Sequence, residues 1–260
     1  MSIAKSAALQ FRAVKSLIMR RFRTRYRGSR VGYAWAIIEP LAWVFILKFG
    51  LAHGSNQPPI GTSYEVFFTT GVVLARTWRS TANSVMTAVI RPSRNGFPLF
   101  GRMDQVFAVW IMDSITGAVV AVIILSILGV FGFDAAPMDL LSCIVTYACL
   151  AVFSLSFGLM FALVATVAPF MLHFRSIIFM AMFFTSGFAT VLDRMPPAFR
   201  DFISWNPLVH FIEWFREGFY HGYECMNRDL EYVFTLTVAF LLLGLAGERA
   251  FRRRTALARA

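Results

Sequence analysis

Apolar residues in this chain are gathered into six stretches, over about 32–53, 63–87, 105–131, 139–168, 174–192 and 230–247. The fourth carries no charge from Leu140 to Ala168, and the fifth none over Ser176–Leu192. A membrane-spanning helix needs about 20 mostly apolar residues. Each stretch therefore predicts a span, the fifth a short one. The fold class this predicts is an all-α membrane protein with six transmembrane helices.

The segments between the stretches test that layout. Loops 54–62 and 132–138 hold no Lys or Arg, whereas 88–104 holds Arg91, Arg94 and Arg102. The turn before the fifth stretch holds His173 and Arg175, and the tail holds Arg249, Arg252, Arg253, Arg254 and Arg259. Basic residues stay on the cytoplasmic side of a membrane. Their alternation predicts six spans with both termini in the cytoplasm. Nine Lys and Arg and no acid fill residues 1–30. Among them Ile3, Ala7, Phe11, Val14, Ile18 and Phe22 recur at helical spacing, which predicts a cytoplasmic amphipathic helix lying in the inner interface. Residues 1–30 thus form one unit, and 31–260 a six-span domain containing the cytoplasmic segment 88–104. Residues 193–229 lie outside yet are rich in aromatic side chains, and Pro196, Pro197 and Pro207 break them into short helices. That combination predicts a re-entrant hairpin, tolerated in a bilayer only when buried in protein or lining a cavity.

Composition narrows the class. Of 260 residues 58% are hydrophobic and 15% charged, with mean hydropathy +0.63. A soluble domain carries about a quarter charged residues. The net charge of +11 is concentrated beside spans, so it reads as orientation and contact with anionic lipid, with no nucleic-acid partner. The basic start is too long for a cleavable leader. Cys143, Cys149 and Cys225 show no metal-ligand spacing, His173 and His210 are isolated, and no HExxH pattern or nucleophile triad occurs. No metal and no catalytic residue is expected. No GxxxxGK[ST] phosphate loop is present, so ATP is not expected to bind here.

Four ionisable residues fall inside predicted spans: Glu39, Arg76, Arg79 and Asp113. Charges there are paired or face water. Two readings stand side by side. The acids and arginines form a structural network, or the arginines receive acidic groups of a substrate. Thr69, Arg76, Arg79 and Asn83 share one helical face, which suits either. Trp35, Glu39 and Trp43 repeat every fourth residue, as channel rings or as interface anchors.

Arg25-Tyr26-Arg27-Gly28-Ser29, Gly32-Tyr33-Ala34-Trp35 and Glu39-Pro40 resemble the N-terminal signature of permease subunits in polysaccharide-exporting ABC transporters. Trp205-Asn206-Pro207-Leu208-Val209-His210 with Glu213-Trp214-Phe215-Arg216 resembles the outer re-entrant segment of that family, in its capsule-export branch. The resemblance implies export of a lipid-linked acidic polysaccharide across the bacterial inner membrane. The chain would act as a dimer with a separate cytoplasmic ATPase dimer, which binds ATP and Mg, and with a periplasmic polysaccharide co-polymerase or export protein. It also implies three groups of residues. Arg91, Arg94, Phe97, Pro98, Leu99 and Phe100, with Arg25 and Tyr26, would couple to the ATPase. Glu39, Trp43, Arg76, Trp78, Arg79, Phe184 and Phe188 would line the channel. Trp205, Asn206, Pro207, Glu213 and Arg216 would form an outer gate. Related possibilities are O-antigen, teichoic-acid or small-molecule efflux permeases, and a non-transporting subunit of a polysaccharide synthase.

Overall fold

The computed structural model describes residues 31–51, 57–91 and 102–257. Within them lie eight α-helices, one 3-10 turn and no strand. The helices are α1 (Val31–Leu51), α2 (Tyr64–Ile90), α3 (Arg102–Val130), α4 (Leu140–Val167), α5 (Met171–Phe184), α6 (Pro197–Ser204), α7 (Pro207–Phe219) and α8 (Leu230–Leu257), with the 3-10 turn at Leu192–Arg194 before α6. The expected N-terminal helix and residues 92–101 of the cytoplasmic segment fall outside the described residues. The segment expected at 88–104 is shorter than the charge pattern implied, because α2 runs on to Ile90 and α3 starts at Arg102.

Among the described residues α3, α4 and α8 are long and apolar enough to cross a membrane by length and composition. These are not the helices at the centre. The most enclosed of the long helices is α2, with eighteen of its 27 residues buried, including Thr69, Thr70, Thr77 and Thr81. It packs against α1, α3, α4, α5 and α7. The arrangement follows from the solvent. In lipid an apolar side chain gains nothing by turning inward, whereas a polar one must find protein partners. So the most polar span is central, and its hydroxyls donate to its own backbone: Thr69 to Glu65 O and Thr77 to Val73 O, both at 2.7 Å.

Aromatic rings fill the contact between α2, α4 and α5. Trp78 stacks on Phe153 and Phe179 with centroids 6.5 and 5.5 Å away, and meets Phe157 edge-on at 5.1 Å. Polar ties fix α3 against α4: Trp110 Nε1 donates to Ala151 O at 2.7 Å, and the Tyr147 hydroxyl to Ser114 O at 2.6 Å.

The fifth apolar stretch departs most from expectation. Its helix has 14 residues, about 21 Å of rise against about 30 Å of hydrocarbon. It stops at Phe184, although the sequence stays uncharged to Leu192. The following turn passes through Gly187 at φ +74°, a left-handed conformation that glycine adopts freely. It lies against Gly71 of α2, where a Cβ would come within 2.4 Å of Phe188 O. The proline-broken segment beyond forms two short helices, as expected, with Pro197 and Pro207 each in a helical first turn, where the missing N–H is not needed.

Candidate functional site

A cleft of about 1050 Å³ opens between α1, α2, α3 and α5. Each helix supplies side chains at helical spacing, so each presents one face. Helix α1 gives Trp35 and Glu39, α2 gives Arg76, Arg79, Ser80 and Asn83, α3 gives Asp113 and Thr116, and α5 gives Arg175, Phe179 and Met180. The three ionisable groups of the cleft that lie on α1 and α2 settle into unlike arrangements. Arg76 donates to Glu39 Oε2 at 2.8 Å, an ion pair between part-buried groups. Arg79 meets no carboxylate among the described residues. Its guanidinium lies 5.3 Å from the centroid of Phe183, and Nη1 reaches the thioether of Met180 at 3.3 Å. Sulfur is a weak acceptor, so most of the donor capacity of Arg79 is left for the cleft. Arg175, half-buried and four residues into α5, likewise has no acid within ion-pair distance among the described residues.

One arginine thus belongs to a structural pair, and another, one turn along, faces the cleft. Thr69 does not share the site, since it is buried and bonded to its own helix. Sequence reasoning missed Arg175 as a site residue, because its place before an apolar stretch made it look like an ordinary cytoplasmic flank. Its spacing of four from Phe179 was the available signal.

The aromatic candidates sort themselves by burial. Trp43 packs against Phe183 and Phe184 at 6.0 and 6.2 Å, and Phe183 against Phe188 at 4.9 Å. This cluster on α1 and α5 adjoins the cleft through the contact of Phe183 with Arg79. Phe184 is half exposed, whereas Phe188 is buried in the turn after α5. Trp78 has no exposed surface at all. Expected in the channel group, it does not line this cleft: it packs in the core, on the face of α2 toward α4 rather than the one carrying Arg76 and Arg79.

Of the coupling candidates only Arg91 is described. It is exposed and caps α2, its N–H donating to Thr87 O at 2.8 Å. Arg94, Phe97, Pro98, Leu99, Phe100, Arg25 and Tyr26 lie outside the described residues.

The outer-gate candidates are mostly interior. Eleven of the thirteen residues of α7 are buried, and the helix packs against α2 and α4. Arg216 and Glu213 are fully enclosed and 3.4 Å apart. Arg216 donates to three carbonyls of the turn after α5: Gly187 at 3.1 Å, Thr190 at 2.7 Å and Phe188 at 2.8 Å. Its guanidinium also sits 4.2 Å over the ring of Phe67. Glu213 accepts the Leu192 N–H at 3.0 Å and the Tyr223 hydroxyl at 2.6 Å. These two residues pair with each other one turn apart, but most of their bonds fasten the turn 187–192. Asn206 caps α7 through the Leu208 N–H at 3.0 Å and donates to Met182 O at 2.7 Å. His210 uses both ring nitrogens: Nδ1 accepts the Asp229 N–H at 3.0 Å, which leaves the proton on Nε2 to reach Ser204 O at 2.9 Å. Trp205 alone of the set is exposed, at 79%.

Among the described residues no group of three or more His, Cys, Asp or Glu side chains could hold a metal ion. The cleft offers positive charge beside apolar surface, which suits binding an anion.

Relatives of this chain share its length and character. It is 28% identical over 236 residues to the polysialic acid transport protein KpsM of Escherichia coli, covering 90% of this chain and 91% of that one. It is 27% identical over 260 residues to the capsule polysaccharide export inner-membrane protein CtrC of Neisseria meningitidis serogroup A, covering 94% and 93%. With the capsule polysaccharide export inner-membrane protein BexB of Haemophilus influenzae the identity is 22% over 253 residues, covering 96% and 94%. Residues 12–220, from the basic N-terminal stretch through the buried helix α7, match the ABC-2 type transporter family. A chain that is helical among the described residues, has membrane-length helices and is matched over nine-tenths or more of its length by transport and export proteins belongs to that family: it is an ABC-2 type transporter permease.

Proposed function

We propose that this chain exports a lipid-linked acidic polysaccharide of the capsular kind across the bacterial inner membrane. It does so as a dimer of permease subunits joined to two copies of a separate ATPase. The observation that carries the reading is the end-to-end likeness to three relatives named for transport or export of such polymers. The cleft supports it, because an acidic polymer needs cationic groups on its path, and Arg79 and Arg175 line the cleft without an ion-pair contact among the described residues. ATP and Mg belong to the ATPase, and no covalent step is assigned to this chain.

In this reading α1 to α5 and α8 are the six spans and both termini face the cytoplasm, close to anionic lipid. The turn between α5 and α6, with α6 and α7, is the outer re-entrant hairpin. The segment between α2 and α3 is the knob that the ATPase moves, through Phe97, Leu99 and Phe100. A periplasmic co-polymerase or export protein receives the polymer.

The test compares surface glycan with intracellular lipid-linked glycan in a strain lacking this chain. Polymer accumulating inside while the surface empties is the expected result. Loss from both places would instead make the chain a subunit of a synthase. An unchanged surface would remove the polysaccharide reading in favour of small-molecule efflux.

A further inference from the structure

The export reading leaves one buried titratable ring without a role, that of His210 in the first turn of α7. Its Nε2–H donates to Ser204 O at the end of α6, and its Nδ1 accepts the Asp229 N–H just ahead of α8. The ring of Tyr232, on α8, stands edge-on to it with centroids 5.8 Å apart, and the Tyr232 hydroxyl donates to Trp205 O at 2.8 Å. Asp229 in turn caps α8, its Oδ1 accepting the Tyr232 N–H at 2.8 Å. One imidazole and one hydroxyl thus tie the corner between α6 and α7 to the start of α8.

The imidazole tie exists in one protonation state only. A neutral imidazole has one donor and one acceptor nitrogen, whereas an imidazolium has two donors. With Nε2–H committed to Ser204 O, a second proton must sit on Nδ1, directly against the Asp229 N–H. The charged groups facing the ring are Glu213 on α7 and Arg228 and Asp229 ahead of α8. Helix α6 presents the Ser204 carbonyl and α8 the uncharged Tyr232 ring. The Asp229 carboxylate could receive the new proton only by releasing the Tyr232 N–H. Burial pushes His210 below the usual histidine range, against the pull of the Ser204 carbonyl, Asp229 and Glu213. The fold therefore favours the neutral ring, and its contribution is lost progressively as pH falls below the ordinary histidine value of about 6.5. Trp205 and Asp229 beside the ring are exposed, so a proton reaches it without crossing the core.

We propose that His210 is a proton-operated latch: neutral, it holds the α6–α7 corner on α8, and protonated, it releases the Asp229 N–H and frees that corner. The latch goes beyond the export reading and is independent of what the chain carries. The proposed topology enters only in naming the compartment, since it exposes the latch to the pH outside the inner membrane.

The experiment is amide exchange read by mass spectrometry on the full-length chain in lipid nanodiscs, in steps from about pH 7.5 to about pH 5. Rates are corrected for the intrinsic pH dependence of exchange. Protection of the Asp229 and Tyr232 amides is expected to fall about tenfold or more over that range. In H210Q, whose side chain does not titrate, it is expected to stay flat. The Met226 N–H, held by Asp193 instead, is the internal reference and is expected to keep its protection throughout. Its loss alongside the others would mean general loosening of the outer loop and would overturn the latch. Unchanged protection at Asp229 and Tyr232 in the parent chain would overturn it outright. An equal fall in H210Q would overturn it in favour of another titrating group, such as Glu217, which holds the Cys225 N–H and Arg228. Should H210Q fail to fold, Tyr232→Phe removes the hydroxyl tie and keeps the ring. Protection is then expected to begin falling at a higher pH than in the parent chain, and an unshifted onset would overturn the latch. Exchange is read without transport, so this result and the glycan test of the export reading fail separately.

Discussion

Arg216 occupies the place that an apolar side chain would fill in most buried helices, with no exposed surface and three backbone carbonyls as acceptors. The turn after α5 has no helix or sheet to satisfy those carbonyls, and an unmet carbonyl in hydrocarbon costs several kcal/mol. A single guanidinium answers all three, and Glu213 balances its charge. Removing one partner of such a pair strands the other. Arg216→Met is expected to cost about 3–5 kcal/mol, read as loss of folded protein in detergent by size-exclusion chromatography and thermal unfolding. A second residue-scale prediction concerns Asp193, which accepts from the Met226 N–H at 2.9 Å and from Asn227. Burial pushes its carboxyl up, but the hydrogen bonds from Asn227 and Met226 outweigh it and hold the group below the usual aspartate range. A depressed carboxylate stabilises above its unfolded pKa and loses that contribution as pH falls through the folded one. Amide protection at Met226 and Asn227 should therefore hold at pH 5 and above and fall on acidification below about pH 4. In Asp193→Asn that pH dependence should be absent. Glu213 and Arg216 were legible in the sequence as a pair one turn apart. Their real partners were not, because a turn lying some twenty-five residues away leaves no periodic trace.

At the scale of elements, α2 and the turn after α5 depend on one another. Gly71 lets the chain around Phe188 lie directly on α2, and a Cβ there would come within 2.4 Å of Phe188 O. Backbone cannot give way as a side-chain tip can. Gly71→Ala is expected to destabilise by about 1–3 kcal/mol and to loosen the turn that Arg216 fastens, seen as a lowered unfolding temperature. The connection between α2 and α3 makes a different prediction. If Phe97 and Phe100 anchor in the ATPase, replacing both by Ala should uncouple ATP hydrolysis from export while the complex still assembles, measured by ATPase rate and surface glycan together. A missing complex would return these residues to the core. The boundaries of α1 to α4 follow the apolar stretches closely, because each stretch is bounded by charge or by Gly and Pro. That of α5 does not. Its termination is imposed by contacts with α2 and α7, and an uncharged sequence continues straight through it.

For the whole molecule, the inside-out distribution of polarity is the organising fact. The membrane-length apolar helices α3 and α8 expose much of their surface, and the polar α2 is enclosed. The cleft follows from the same arrangement, opening where polar α2 faces α1, α3 and α5. Topology is directly testable in a background with Cys143, Cys149 and Cys225 replaced by Ala. A cysteine at exposed Trp205 should react with a membrane-impermeant maleimide in cells whose outer membrane alone is permeabilised. A cysteine at exposed Arg91 should react only after the inner membrane is opened. The reverse pattern would invert the orientation and place the arginine cleft near the outer leaflet.

Some properties need nothing beyond local composition. Hydrocarbon rejects charge wherever it stands in the chain, so the apolar stretches, the basic flanks and the proline-broken outer segment were readable from order alone. Which polar groups meet is a different matter, because it depends on residues brought together from distant positions. The enclosure of Trp78, the pairing of Glu39 with Arg76 rather than Arg79, and the placing of Arg175 and Arg79 on one cleft all arise from how five helices pack around α2. Packing settles them because a charge in a membrane must find a partner in space, and sequence order does not record which one is within reach.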